Sequence, residues 1–466
     1  MITASKTIAA ISTPFGRGGI AVIRISGENA VGVASKMFFP ASGKQLSDIS
    51  PNRATYGIIV SDGQRIDDGI AVIYRAPSSY TGEDTVEISC HGGILLTERV
   101  LKTAFDNGAA PARAGEFTER AFLNGKLSLS EAEGVIGLID AENEEKLRLS
   151  ASHTSGVLSR RIDVIYNEIL RLISSVYVSI DYPDEDLEPV GDEELISSLK
   201  KIEKDLKETA DTYKRGKAVS EGVKTVLIGK PNTGKSSLLN ALLGEDRAIV
   251  TDLPGTTRDV IEEKVSVGRI ILRMADTAGI RKGAGVIEQI GIEKALKKAN
   301  EAELIIGMFD VSDSICADDI TVLEAIRGYI ENGKSVICVL NKSDSVNKDA
   351  LKGLNERIPD GCVRVETSAK TGEGIDALKN ACESLFAEGE TDYNQTAVIA
   401  SARQYSAVST ALVAIRRALF ACESGYASDV CGMDLESALS SLGEVDGRSV
   451  AEEVTSEIFK NFCVGK

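Results

Sequence analysis

The stretch GKPNTGKSS, residues 229–237, follows the apolar run TVLI and precedes SSLLNALL, whose leucines recur at helical spacing. Gly229, Gly234, Lys235 and Ser236 stand in the order G-x-x-x-x-G-K-S. Between a strand and a helix this is a phosphate cradle. The glycines let backbone N–H groups curl around phosphate oxygens, Lys235 brings charge to the terminal phosphates, and the Ser236 hydroxyl can ligate Mg²⁺. The spacing predicts a strand–loop–helix nucleotide site.

Further motifs follow in chain order and identify the nucleotide. ADTAG, residues 275–279, ends an apolar strand; Asp276 is positioned to reach the magnesium shell and Gly279 to offer its N–H to a terminal phosphate. NKSD, residues 341–344, ends the strand SVICVL. A carboxylate such as Asp344 only accepts hydrogen bonds, and guanine offers N–H groups on two adjacent atoms, which adenine lacks. ATP would leave Asp344 unpaired and be rejected. TSAK, residues 367–370, backs the base with main-chain contacts. TDLPGTTRD, residues 251–259, fits a switch loop with Thr257 as a hard-cation ligand. The expected GTP site is Asn232, Thr233, Gly234, Lys235, Ser236 and Ser237; Thr251, Asp252, Leu253, Pro254, Gly255, Thr256 and Thr257; Asp276, Thr277, Ala278 and Gly279; Asn341, Lys342 and Asp344; and Ser368, Ala369 and Lys370. Ile280 stands where many regulatory GTPases carry a water-orienting glutamine, so hydrolysis needs another group or is very slow.

Outward from this site, residues 220–387 alternate apolar strands (VKTVLIG, RIILRMADT, ELIIGMFDVSD, KSVICVLNKSD, GCVRVETS) with helical stretches, which predicts a mainly parallel sheet wrapped by helices. Residues 1–120 read as mixed α/β, with IAVIRIS and DTVEIS as strands. In 121–219, Ile162, Ile165, Ile169, Leu172, Ile173 and Val176 mark one helix face, and a lysine-rich helix near 193–213 reads as a solvated lead into a linker. In 388–466 the helical period returns at Val408, Leu412, Ile415, Leu419 and Cys422, and again at Leu435, Leu439 and Leu442. The economical organisation is a helical domain split by an inserted α/β domain.

The chain has 466 residues and a formal charge of −17, which repels phosphate backbones over most of the surface. Action on nucleic acid would need a local basic patch or a basic partner. Eight cysteines without C-x-x-C, and two histidines, speak against a zinc site and read as reduced thiols, most of them buried. No window holds eighteen uninterrupted apolar residues, so no membrane-spanning helix is expected. Pro14, Gly16 and Arg17 break the first apolar run, which lacks a basic lead; a cleaved signal is not expected, and the expected compartment is the cytoplasm.

End to end, the chain resembles the MnmE or TrmE family of bacterial tRNA modification GTPases. The matching stretches are TPFGRGGIAVIRISG, SYTGEDTVEISCHGG, AGEFTERAFLNGKLSLSEAEGVIGLIDA, GKPNTGKSS, GTTRD, DTAGIR, IEQIGIEKA, NKSD and FCVGK. The resemblance implies an N-terminal folate-binding domain, a split helical domain and an inserted P-loop GTPase domain. It implies a homodimer through the N-terminal domains. It also implies a heterotetramer with a flavin-dependent partner, MnmG or GidA, that installs a carboxymethylaminomethyl or aminomethyl group on carbon five of the wobble uridine of certain tRNAs. The one-carbon unit would come from 5,10-methylene- or 5-formyl-tetrahydrofolate. By the same resemblance Asn232, Thr251, Leu253 and Thr256 hold K⁺, Glu288 activates water, and Arg24, Glu87, Lys126 and Lys466 form the folate site. Val464 replaces the family's usual isoleucine. The alternative class is a regulatory or ribosome-assembly GTPase without chemistry of its own. That class predicts a basic RNA-binding appendage such as a KH module, which this sequence lacks.

Cys463 lies near the chain end. Gly465 and Lys466 do not suit a prenylation box. Ile458, Phe459 and Phe462 are apolar, and free apolar ends are usually docked or cleaved. The expectation is an anchored tail that carries Cys463 toward the folate pocket as a nucleophile or acid–base group.

Overall fold

Strict alternation builds the first sheet. In a computed structural model that describes residues 6–181, 191–244, 263–274, 298–387, 389–426, 428–450, 452–460 and 462–465, the first strands are β1 (Ile8–Ile11), β2 (Ile20–Ser26), β3 (Phe38–Pro40), β4 (Thr55–Ser61), β5 (Gln64–Tyr74), β6 (Thr85–His91) and β7 (Ala110–Pro111). Their order is β3-β4-β5-β6-β2-β1-β7, antiparallel except for the β1–β7 pair. Ala21, Ile23 and Ile25 of β2 join a core with helices α1 (Ala30–Met37) and α2 (Ile94–Asp106). Because successive side chains on a strand point to opposite faces, Arg24 lies on the other face. There β1 contributes Ile8 and Ala10, packed against Phe117 of α3 (Glu116–Leu123).

The helical segment runs through α4 (Leu129–Ile139), α5 (Glu144–Thr154), α6 (Val157–Asp181), α7 (Asp192–Asp211) and α8 (Tyr213–Ser220). The apolar face read from the sequence of α6 is buried from Ile162 to Val176. Helix α7 corrects the expectation of a solvated lead into a linker. Leu195, Leu199, Ile202 and Leu206 step by four, three and four, and all are buried. Its lysines occupy the opposite face, so composition hid a normal amphipathic helix.

The second sheet contains β8 (Val223–Ile228), β9 (Glu263–Val267), β10 (Ile270–Met274), β11 (Leu304–Asp310), β12 (Ser335–Asn341) and β13 (Val363–Thr367), in the order β13-β12-β11-β8-β10-β9. All pairs are parallel except β9–β10. Every residue of central β11 is buried, because helices cover both faces of a parallel sheet. On one face Leu238, Leu239 and Leu242 of α9 (Lys235–Leu243) and Leu378 of a later helix pack on Leu227 and Ile306. On the other, Val322 and Ile326 of α10 (Ala317–Glu331) and Leu354 of α11 (Lys348–Arg357) pack on Val226 and Ile305. The helix carrying Leu378 is α12 (Ile375–Phe386).

The remaining helices are α13 (Ala402–Glu423), α14 (Ser428–Asp446) and α15 (Glu452–Lys460). Ser401 and Gln404 form a capping box that starts α13. Helix α13 is long and apolar enough to cross a membrane by length and composition, unlike the expectation from uninterrupted apolar runs. Half of that window is buried, with Val408, Ala411 and Ile415 inside and α7 packed alongside, as in a core helix.

By compactness the chain divides into Met1–Ile136 with Gly443–Lys466, and Gly137–Leu442. Residues 443–466 thus fold with the N-terminal residues, a grouping different from the sequence boundaries. The cause is apolar: Phe459 and Phe462 are buried with Leu129 and Ala132, and Phe122 packs against them. Four cysteines are buried (Cys90, Cys338, Cys382 and Cys431), whereas Cys362 and Cys422 are half-buried and Cys316 and Cys463 exposed; the expected burial of most thiols holds for half of them.

Candidate functional site

The carboxyl ends of parallel strands are where an open α/β sheet binds its ligand, and the motif residues gather there. The loop leaving β8 turns through Asn232 at φ +61° and Gly234 at φ +96° before α9 begins. A Cβ on Gly234 would sit 2.4 Å from Asn341 Nδ2, so both the backbone angle and the space require glycine. The Lys235 ammonium donates to the carbonyls of Gly229 (2.8 Å) and Lys230 (2.7 Å), and the buried Thr233 hydroxyl donates to Lys230 O at 3.0 Å. Ser236 and Ser237 lie exposed on the first turn of α9, and Asn232 is exposed on the loop. The Lys230 ammonium pairs with the buried Asp319 at 2.9 Å, fastening the loop to the start of α10.

Asn341, at the end of β12, ties three loops together. Its Nδ2 donates to Thr233 O (2.7 Å), and its Oδ1 accepts from Ala369 N (3.0 Å) and the Thr367 hydroxyl (3.2 Å). The Asp344 carboxylate is exposed and accepts from the Ser368 hydroxyl at 2.6 Å, a bond that holds its pKa below the ordinary carboxylate value. It is therefore an obligate acceptor at neutral pH, as guanine recognition needs. Lys342 has φ +66°, and its ammonium is paired with Asp310 at the end of β11. Lys370 is exposed beside this turn. Lys230 holds an unassigned position of the phosphate-loop stretch, Asp319 and Asp310 belong to no motif, and only their contacts reveal their part. The expected site residues Thr251, Asp252, Leu253, Pro254, Gly255, Thr256, Thr257, Asp276, Thr277, Ala278, Gly279, Glu288 and Lys466 lie outside the described residues.

A second constellation sits on the β2–β6 face. Arg24 and Glu87 are directly opposed in register and form a two-pronged ion pair, Nε–Oε1 2.9 Å and Nη2–Oε1 2.8 Å. The guanidinium stands 5.2 Å from the Tyr80 ring centre and 5.6 Å from that of Phe117. Burial pushes the Tyr80 phenol up, and burial followed by the Glu87 charge does the same to Tyr74. Lys126 is exposed, and its ammonium donates to Pro77 O at 3.0 Å, on the loop that leads to Tyr80.

The chain end reaches this constellation. Val464 forms an antiparallel bridge with Ala114, and Gly115 N–H donates to Cys463 O at 3.3 Å. Gly465 O accepts from the Ser12 hydroxyl (3.0 Å) and from Arg24 Nη1 (3.4 Å), while the Cys463 side chain stays exposed. Sequence reasoning did not find Ser12, Tyr74, Tyr80 or Phe117. Tyr80 lies inside a family-like stretch, but nothing in the sequence singles out Ser12.

A family model described as the MnmE helical domain matches residues 129–463, and one described as the GTP-binding protein TrmE N-terminus matches residues 7–126. Among curated proteins, the tRNA modification GTPase MnmE of Clostridioides difficile (strain 630) is 39% identical over 460 residues, covering 99% of both chains. The protein of the same name from Carboxydothermus hydrogenoformans is 40% identical over 469 residues, again covering 99% of each. That of Bacillus licheniformis is 40% identical over 463 residues, covering 99% of this chain and 100% of the relative.

Proposed function

The chain belongs to the MnmE family of tRNA modification GTPases, and from that membership we propose how its two sites are used. GTP hydrolysis depends on K⁺ and, with a flavin-dependent partner of the MnmG or GidA type, supports addition of a carboxymethylaminomethyl or aminomethyl group to carbon five of the wobble uridine. The one-carbon unit comes from 5,10-methylene- or 5-formyl-tetrahydrofolate. Residues 1–120 bind the folate and dimerise, 121–219 and 388–466 are the helical parts, and 220–387 hydrolyse GTP. The working assembly is a homodimer joined to the flavoprotein in a heterotetramer, acting in the cytoplasm.

The observation that carries the reading is the docked chain end. A carbonyl two residues beyond Cys463 is bonded by Arg24, the same residue that pairs with Glu87. A chain end that docks on this charged, aromatic-walled constellation and carries a thiol two residues before the bond supports a chemical role over a nucleotide switch without chemistry.

Within the GTP site the backbone N–H groups around Gly234 cradle phosphate, Lys235 balances its charge, and Asp344 accepts the two guanine N–H bonds. Hydroxyl, carbonyl and carboxamide oxygens suit hard cations. Ser236 and Thr257 would hold Mg²⁺, and Asn232, Thr251, Leu253 and Thr256 would hold K⁺. Bound there, the two ions offset charge on the transferring phosphate. Glu288 accepts the proton of the attacking water, which Ile280 cannot orient. At the second site Arg24, Glu87, Lys126 and Lys466 would bind the folate, with Glu87 an acceptor for pterin N–H groups.

The chain should turn over GTP far faster than ATP, and faster in KCl than in NaCl at matched ionic strength. Phosphate release measured in both salts checks this. Equal rates in the two salts would remove the Asn232 ion-ligand assignment.

A further inference from the structure

We propose that Ser12 and Gly465 form a latch that fixes the position of Cys463, which makes both positioning residues for the tRNA modification reaction. The inference rests on the reading above that Cys463 takes part in that reaction.

The latch is a set of backbone restraints. Gly465 O is held by the Ser12 hydroxyl at 3.0 Å, with Arg24 Nη1 at 3.4 Å as a second donor. Ser12 is itself anchored, because its N–H donates to Val22 O at 2.8 Å. Nearer the thiol-bearing residue, Gly115 N–H bonds Cys463 O, and Ala114 pairs with Val464.

Two glycines allow this close approach. Gly465 has φ +102°, and a Cβ there would lie 2.1 Å from Ile11 O. Gly115 has φ +67°, and a Cβ there would lie 2.3 Å from Phe459 O and 2.9 Å from Phe462 Cβ. Both positions are closed to any L side chain unless the tail moves.

The distribution of burial says what the latch serves. Phe459 and Phe462 are buried and fix the approach of the tail. Beyond them the backbone is held, yet the Cys463 side chain is exposed and Val464 is 60% exposed. A tail docked only for stability would bury its side chains, since apolar burial is what repays the loss of chain entropy. Here the restraint falls on the backbone and leaves the thiol presented. That is how a reacting group is oriented on a segment that would otherwise fray.

The test uses the full chain in the reaction reconstituted with the flavoprotein partner and tRNA. Gly465→Ala should lower modification by on the order of 10²-fold, the scale of a reacting group misplaced by about 1 Å. Ser12→Ala, which removes one neutral hydrogen bond, should lower it roughly 5- to 10-fold. Both losses should appear in kcat with KM for tRNA unchanged, and Ser12→Thr should restore turnover. Amide hydrogen exchange in the C-terminal peptide should rise in Gly465→Ala and Ser12→Ala with the thermal midpoint unchanged. Wild-type turnover in both variants, where Cys463→Ser is inactive, would overturn the latch, as would equal C-terminal exchange in all the chains. Full turnover in Cys463→Ser would instead overturn the parent reading, and with it any chemical purpose for the latch.

Discussion

Replacing Cys463 with serine should abolish wobble-uridine modification and leave GTP turnover at the wild-type rate. The thiolate is the reactive form of cysteine, and sulfur is intrinsically a far better nucleophile than a serine hydroxyl. A nucleophilic or proton-transferring task at Cys463 would therefore fail in the serine chain by at least about 10²-fold. The nucleotide loops gather around Asn341, in the compact unit Gly137–Leu442, and Cys463 belongs to the other unit. Deleting residues 463–466 should give the same separation of activities. The readout is mass spectrometry of wobble nucleosides from cells carrying only the variant, with phosphate release measured on the purified chain. Normal modified-uridine levels in both variants would leave Cys463 an exposed thiol without a task.

In Glu288→Ala, kcat for GTP hydrolysis should fall by about 10²–10⁴-fold while nucleotide affinity stays nearly intact, the range that a positioned general base supplies. The groups proposed to grip the nucleotide, Lys235, Asn341 and Asp344, remain in the variant, so binding should persist. Ile280 offers the water no hydrogen bond and cannot take over. This expectation comes from the family-like stretch IEQIGIEKA, residues 287–295. Single-turnover hydrolysis together with a fluorescent-nucleotide titration separates the two quantities. A variant that keeps more than half of the wild-type turnover would return Glu288 to an ordinary solvated carboxylate at a helix start.

The nucleotide site was legible because phosphate and guanine chemistry fix both residue type and spacing. Gly234 must be glycine for its backbone angle and its contact with Asn341, so the motif survives in one dimension. The central strands β11 and β12 were legible for a related reason: buried on both faces, they read as nearly unbroken apolar runs. β9, with the sequence EKVSV, carries only two apolar residues and gave no such signal. On α7 the lysines dominated composition, although Leu195, Leu199, Ile202 and Leu206 were spaced for burial. The second site was legible only through the family resemblance, which named Arg24, Glu87, Lys126 and Lys466. Ser12 and Gly465 are 453 residues apart, and Arg24 meets Glu87 only through the register of β2 and β6. Long-range pairing of this kind leaves no local pattern. The docked tail was foreseeable from Ile458, Phe459 and Phe462, and its approach to the N-terminal site from the family resemblance, but the bonds of Gly465 O with Ser12 and Arg24 were not.

The claim that this GTPase performs one-carbon chemistry, and does not act only as a nucleotide-controlled scaffold, is tested most directly by equilibrium titration of the full-length chain with 5-formyltetrahydrofolate, alongside Arg24→Ala and Glu87→Ala. The account predicts saturable binding to the wild-type chain that is lost in both variants, each of which still hydrolyses GTP. No binding to the wild-type chain, or binding that neither substitution changes, would contradict it.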